Sequence, residues 1–178
     1  RTWFELTVSG VTAHASTLWK GVDAIAGMAE IISNIRHRIE MCPRHKDLGI
    51  STVTFGQIEG GYRPYVVPDS CRVWIDMRLV PPVDTDAAVS IVEESVKEAA
   101  FQVEGIEASW KITGDRPYIE KDENSGLLHA LKGACKETGA SSEVSFFPGY
   151  SDTAVIAGKL NNHNCMSDSS GLCAGQGY

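Results

Sequence analysis

A chain of 178 residues, 43% hydrophobic and 22% charged, has the composition of a globular protein and room for one domain, or for one domain and part of a second. Lys and Arg number 16 against 23 Asp and Glu, and the resulting formal charge of -7 argues against partners held by phosphate, whether nucleic acid or an acidic membrane surface. No apolar run approaches the roughly 18 residues of a membrane span and no apolar leader opens the chain, so a cytoplasmic location is expected. Cys42, Cys71, Cys135, Cys165 and Cys173 are odd in number and scattered, which reads as reduced thiols and not as a disulfide framework.

Residues 3–8 alternate, with Phe4, Leu6 and Val8 on one face and Glu5 and Thr7 on the other, which predicts a half-buried strand ended by Gly10. Over residues 23–39 the stripe Ile25, Met28, Ile32, Ile35 and Ile39 predicts an amphipathic helix, with Asp23 suited to its N-terminus. Residues 51–58, rich in Thr, Val and Phe, form a second predicted strand, broken by Gly60 and Gly61. A third covers residues 71–80, distributing Val73, Ile75, Arg72, Asp76 and Arg78 over two faces before Pro81 and Pro82 stop it. Asp84 or Thr85 caps a second helix, in which Val89, Val92, Val96 and Ala99 keep helical spacing as far as Phe101. Residues 106–112 read as a fourth strand. The order β-α-β-β-α-β predicts an α+β, ferredoxin-like domain over residues 1–115, a four-stranded sheet with two helices on one face.

The pattern changes after Gly114 and Pro117. Ser125 caps a third helix that carries Leu127, Leu128, Leu131, Ala134 and Cys135 and closes at Gly139. Short elements are expected at 145–147 (strand), 152–159 (helix) and 162–166 (strand), followed by a Ser- and Gly-rich end from Ser167 that reads as flexible. An α-β-α-β piece has too few elements to close its own core, so residues 116–178 are expected to be an incomplete α/β segment of a larger domain.

Three stretches carry more specific information. Ser9-Gly10-Val11-Thr12-Ala13-His14-Ala15-Ser16, followed by Gly21-Val22-Asp23-Ala24-Ile25, resembles the G-x-x-A-H-A/S motif and helix entry of the lid, or dimerisation, domain of the M20 metallopeptidases and deacylases. Gly60-Gly61 through Val66-Val67-Pro68-Asp69-Ser70-Cys71, and on to Asp76-Met77-Arg78, is similar to that family's G-G-x-x-x-N-V-V-P-D-x-C and D-x-R pair. Gly149-Tyr150-Ser151-Asp152-Thr153-Ala154 resembles the G-x-[ST]-D-A segment of its returning catalytic half.

The resemblance implies a lid domain followed by part of a catalytic domain, from a hydrolase that cuts the amide bond of an N-acyl amino acid or short peptide. It implies that the lid forms a homodimer and that His14 acts in trans, stabilising the oxyanion in the neighbouring subunit's active site. It implies that Arg78 grips the substrate carboxylate, a task that suits the guanidinium fork. The plain alternative for Arg78 is a strand charge in a surface ion pair worth at most about 1 kcal/mol. Tyr65 stands where the family carries Asn, so a phenol hydroxyl replaces the amide of a substrate contact, with different reach. Gly149 and Ser151, with Asp152, are expected to line the substrate cleft, although helix capping accounts for Ser151 and Asp152 equally well.

The family's two metal ions, zinc or else cobalt or manganese, are held by His, Asp and Glu residues that the resemblance places ahead of Arg1 or after a G-P-G turn for which residues 167–178 offer no counterpart. No metal is therefore expected on this chain, and the chain alone is expected to be inactive. Cys42-x-x-His45 and His163-x-Cys165 lack the four-ligand spacing of a zinc finger, while Cys71 and Cys135 read as inert, buried thiols. The competing reading is a non-catalytic ferredoxin-like module that dimerises or binds an amino acid.

Overall fold

The computed structural model describes residues 1–116 and 122–144, and the chain divides into two units, residues 1–118 and 119–178. The alternation at the N-terminus builds β1 (Thr2–Ser9), whose every second side chain is buried. It is hydrogen-bonded antiparallel on one side to β5 (Ser70–Arg78) and on the other to β6 (Glu107–Asp115). The outer strand β3 (Thr52–Gly60) pairs antiparallel with β5, which gives the order β3-β5-β1-β6. Two helices, α1 (Ala24–Glu40) and α2 (Thr85–Gln102), complete the ferredoxin-like β-α-β-β-α-β arrangement that the sequence predicts. Three elements interrupt that plan: the two-residue strands β2 (Ala13–His14) and β4 (Val66–Val67), which form a separate ladder, and a 3-10 segment, Ala15–Lys20.

The core lies between the sheet and the helices. Phe4, Leu6 and Val8 of β1 and Cys71, Val73, Ile75 and Met77 of β5 meet Met28, Ile31 and Ile35 of α1 and Val92 of α2, all essentially fully buried. Each large apolar side chain so placed contributes about 1.5–3 kcal/mol of burial. Trp110 of β6 closes one end, edge-on to Phe4 with ring centroids 5.9 Å apart.

The helices begin where side chains can cap them. Asp23 Oδ1 accepts from the amides of Ile25 and Ala26, each at 2.9 Å, and Asp84 Oδ1 accepts from Ala87 at 2.9 Å. That start turns α1 so that Ala24, Met28, Ile31, Ile35 and Ile39 face the sheet. The predicted stripe is therefore corrected at two positions: Ile32 packs at the core margin, and Ile25 is exposed, leaning over Gly60 and Gly61. Strand ends also differ: β3 runs on to Gly60 past the predicted Ile58, and β6 to Asp115 past the predicted Ile112. β5 stops at Arg78, short of the predicted Val80, because the Val80 amide donates to Ser51 Oγ at 3.1 Å instead of to a ladder partner.

Between the helices, Arg38 donates to Glu94 at 2.7 Å and to Glu98 at 3.0 Å, and Asn34 donates to the Ser95 carbonyl at 3.4 Å. The sheet's other face is polar at its centre, where Glu5 sits between Lys111 at 3.0 Å and Arg72 at 3.5 Å. In the second unit α3 (Gly126–Thr138) starts at Ser125, whose Oγ accepts from Leu128, and ends at Gly139 with φ 70°, as its sequence signals predict. Leu127 and Leu131 of α3 are exposed, and Cys135, read from the sequence as buried, is half-buried. The elements expected at 145–147, 152–159 and 162–166 lie outside the described residues. Among the described residues no helix is long and apolar enough to cross a membrane.

Candidate functional site

After β1 the chain leaves the sheet and folds a corner clamped almost entirely by main-chain bonds. The Gly10 amide donates to the Asp69 carbonyl at 2.8 Å, Val11 and Val22 exchange two bonds at 2.9 Å each, and the Ala24 amide donates to Pro68 at 2.9 Å. Backbones approach so closely here that side chains are excluded at two places. A Cβ on Gly10 would collide with the Val22 carbonyl, and one on Gly21 would lie 2.7 Å from the Val11 oxygen and 2.8 Å from Ala13 Cβ. The corner continues into the β2–β4 ladder, with Ala13 opposite Val67 and His14 opposite Val66, and the Ala15 amide donates to the Tyr65 carbonyl at 3.0 Å.

This ladder carries His14 to the surface. Its ring is exposed, with Nδ1 3.2 Å from the Ser16 amide, which donates to it, and 2.8 Å from Ser16 Oγ. His14 thereby caps the 3-10 segment with its own side chain, while Thr17 Oγ1 donates to the His14 carbonyl at 3.2 Å. Among the described residues Nε2 has no hydrogen-bond partner. Tyr65, 55% exposed, is the neighbour on β4's side, so the two sequence-predicted residues share one edge of the corner. Leu18, Trp19 and Tyr62 are exposed as well, Trp19 to 73%.

Arg78 is not brought to them. It ends the nine-residue β5 whose start, Ser70, adjoins the corner, and a rise of about 3.3 Å per residue puts roughly 26 Å between the two ends. Its Nε and one terminal nitrogen both donate to Asp76 Oδ2, at 3.0 and 2.9 Å, and Asp76 also lies 3.4 Å from the Arg1 guanidinium. Gly149, Ser151 and Asp152 lie outside the described residues.

Among the described residues no three His, Cys, Asp or Glu side chains converge as metal ligands do. The Cys42 thiol donates to the Arg38 carbonyl at 3.4 Å, and His45 Nδ1 accepts from the amides of Asp47 and Leu48 at 3.2 and 3.1 Å, so both are occupied by local turns. Burial pushes the Cys71 thiol above its ordinary value, chiefly by desolvation, and raises that of Cys42 for the same reason. Both thiols therefore stay protonated and are poor nucleophiles. What sequence reasoning missed is the β2–β4 ladder and Ser16. The one available signal was a hydroxyl residue two places after the histidine.

Residues 1–104 match the family model described as the peptidase dimerisation domain of the M20 peptidases. The chain belongs to that family. The chain is 28% identical to aminoacylase-1A of Rattus norvegicus over 163 residues, covering 86% of the chain and 39% of the relative. Aminoacylase-1 of Mus musculus is likewise 28% identical over 163 residues. Among solved structures, a tripeptidase of Staphylococcus aureus superposes with a TM-score of 0.74 at 23% identity, over 89% of the chain and 40% of that structure. The aminopeptidase PepT of Bacillus cereus gives 0.69 at 24%, over 88% and 41%. At these identities the two structures establish the fold alone. The chain thus spans about two fifths of the length of the relatives it matches.

Proposed function

We propose that residues 1–115 are the lid of a metal-dependent amide hydrolase, that residues 116–178 are part of its returning catalytic segment, and that the lid pairs with a second copy. In that assembly His14 of one copy donates a hydrogen bond to the oxyanion formed in the other copy's active site, on an N-acyl amino acid or short peptide. Tyr65 supplies a second contact, through its hydroxyl, and Arg78 binds the substrate carboxylate. Gly149 and Ser151 are assigned to substrate binding by the resemblance of their motif alone.

The observation that carries this reading is an exposed imidazole on a clamped ladder, with one nitrogen engaged and the other open. The length of β5, roughly 26 Å from the corner-adjoining Ser70 to Arg78, exceeds the span of an N-acyl amino acid and supports action in trans. One substrate would then meet His14 of one copy and Arg78 of the other. Self-association has a ready route in the sheet's outer strands, β3 and β6, each of which keeps one unpaired edge among the described residues. Arg78 keeps donors beyond those given to Asp76, so it can hold a carboxylate without releasing its neighbour.

The described residues do not fit the two-metal group that the resemblance implies, because no ligand set converges among them. Their contribution is a donor aimed at developing negative charge, worth about 2.7–4 kcal/mol when one such donor is removed. His14→Ala in the full-length parent is therefore expected to lower turnover about 100-fold or more while sedimentation still reports a dimer. Near-normal turnover would reject the role of His14, and a monomeric wild-type parent would reject action in trans.

A further inference from the structure

Ser16 presents two groups to the same ring nitrogen of His14: its backbone amide at 3.2 Å and its hydroxyl oxygen at 2.8 Å. The hydroxyl can donate or accept, so it alone says nothing about where the imidazole proton resides. The amide has no such freedom. A backbone N–H only donates, so Nδ1 must offer it a lone pair, and a proton on Nδ1 would face the amide hydrogen.

From this geometry we infer that Ser16 is a positioning residue, which fixes neutral His14 as the tautomer with its proton on Nε2 and so makes the ring a hydrogen-bond donor toward whatever it meets. Nε2 carries the proton and has no partner among the described residues. The ring's one lone pair is held at Nδ1, inside the corner. In this state His14 cannot take a proton or bind a metal through Nε2. It can only donate to an oxygen bearing negative charge or to a polarised carbonyl.

The corner holds this state on three sides. The Ala15 amide is tied to Tyr65, the Thr17 hydroxyl to the His14 carbonyl, and the ring to Ser16, so both the backbone and the side chain of His14 are restrained before any ligand arrives.

The inference deepens the donor role proposed above, but its test needs no substrate. In the full chain labelled with nitrogen-15, the two ring nitrogens of His14 are followed by NMR at a pH above the end of its titration, with His14→Gln used to assign the signals. The urea-unfolded chain serves as reference, because an unrestrained neutral imidazole averages both tautomers. Folding is expected to widen the shift difference between a pyrrole-type Nε2 and a pyridine-type Nδ1. A difference no wider than in urea, or a reversed one, overturns the assignment. Ser16→Ala, which keeps the amide and loses the hydroxyl, is expected to narrow the difference part of the way, and Ser16→Thr to restore it. No change in Ser16→Ala would remove the hydroxyl from the role. A wide difference in the folded chain combined with near-normal turnover of His14→Ala would retain the tautomer and reject its catalytic use, so the two failures are distinguishable.

Discussion

β1 serves two regions that are held in different ways. Along the strand, Phe4, Leu6 and Val8 are buried against the helices, and the cohesion is apolar. Just past its end, from Gly10 to Gly21, most side chains are exposed and cohesion comes from paired main-chain groups and from glycines that let backbones touch. The first region tolerates rearrangement of side chains but not loss of volume. The second tolerates loss of side chains but not gain of volume. A reactive side chain placed on the second region can stay accessible and still be positioned, because its support does not require burial.

That contrast can be broken experimentally. Its largest expected effect is in the core: Phe4→Ala should cost about 3–5 kcal/mol in urea unfolding, through lost transfer energy and the cavity left beside Trp110. A loss under about 1 kcal/mol would mean that the sheet can collapse around the gap and that the core is less rigid than its burial indicates. In the corner, Gly10→Ala should cost roughly 1–3 kcal/mol from overpacking against the Val22 carbonyl. Its signature should be local: faster amide exchange at Val11 and Val22 with the β1–β5 ladder still protected. Exchange that rises equally everywhere would dissolve the distinction between the two regions.

Smaller effects sharpen it. Ser95 is fully buried and its hydroxyl has no partner among the described residues, so Ser95→Ala should raise stability by about 1 kcal/mol; a loss would reveal a partner for that oxygen. Trp19→Ala, at an exposed position of the 3-10 segment, should move unfolding of the dilute chain by no more than about 0.5 kcal/mol. A larger change would show the corner drawing on side-chain packing after all.

The same division separates what was legible in the sequence from what was not. Apolar periods report burial, so β1, α1, β5 and α2 can be read directly, and Asp23, Asp84, Ser125 and Gly139 mark helix ends because capping is local chemistry. Ile25 was misplaced because periodicity alone does not fix the rotation of a helix, whereas the Asp23 cap and the glycines opposite do. The corner has no period at all. A two-residue strand such as β2 exists only because Val66 and Val67, more than fifty positions later, come to lie beside it. His14 and Tyr65 could be singled out by resemblance to a motif, but their adjacency depends on that remote pairing.

Arg38 bears on how the two helices find their alignment. Glu94 and Glu98 are one turn apart on α2, and the guanidinium reaches both from the last turn of α1. All three side chains are solvated enough that the pairs add little energy, at most about 1 kcal/mol each. Sliding α2 by one turn would leave the cation with one acid instead of two, so the trio works as a vernier mark that penalises a slipped pairing more than it strengthens the correct one.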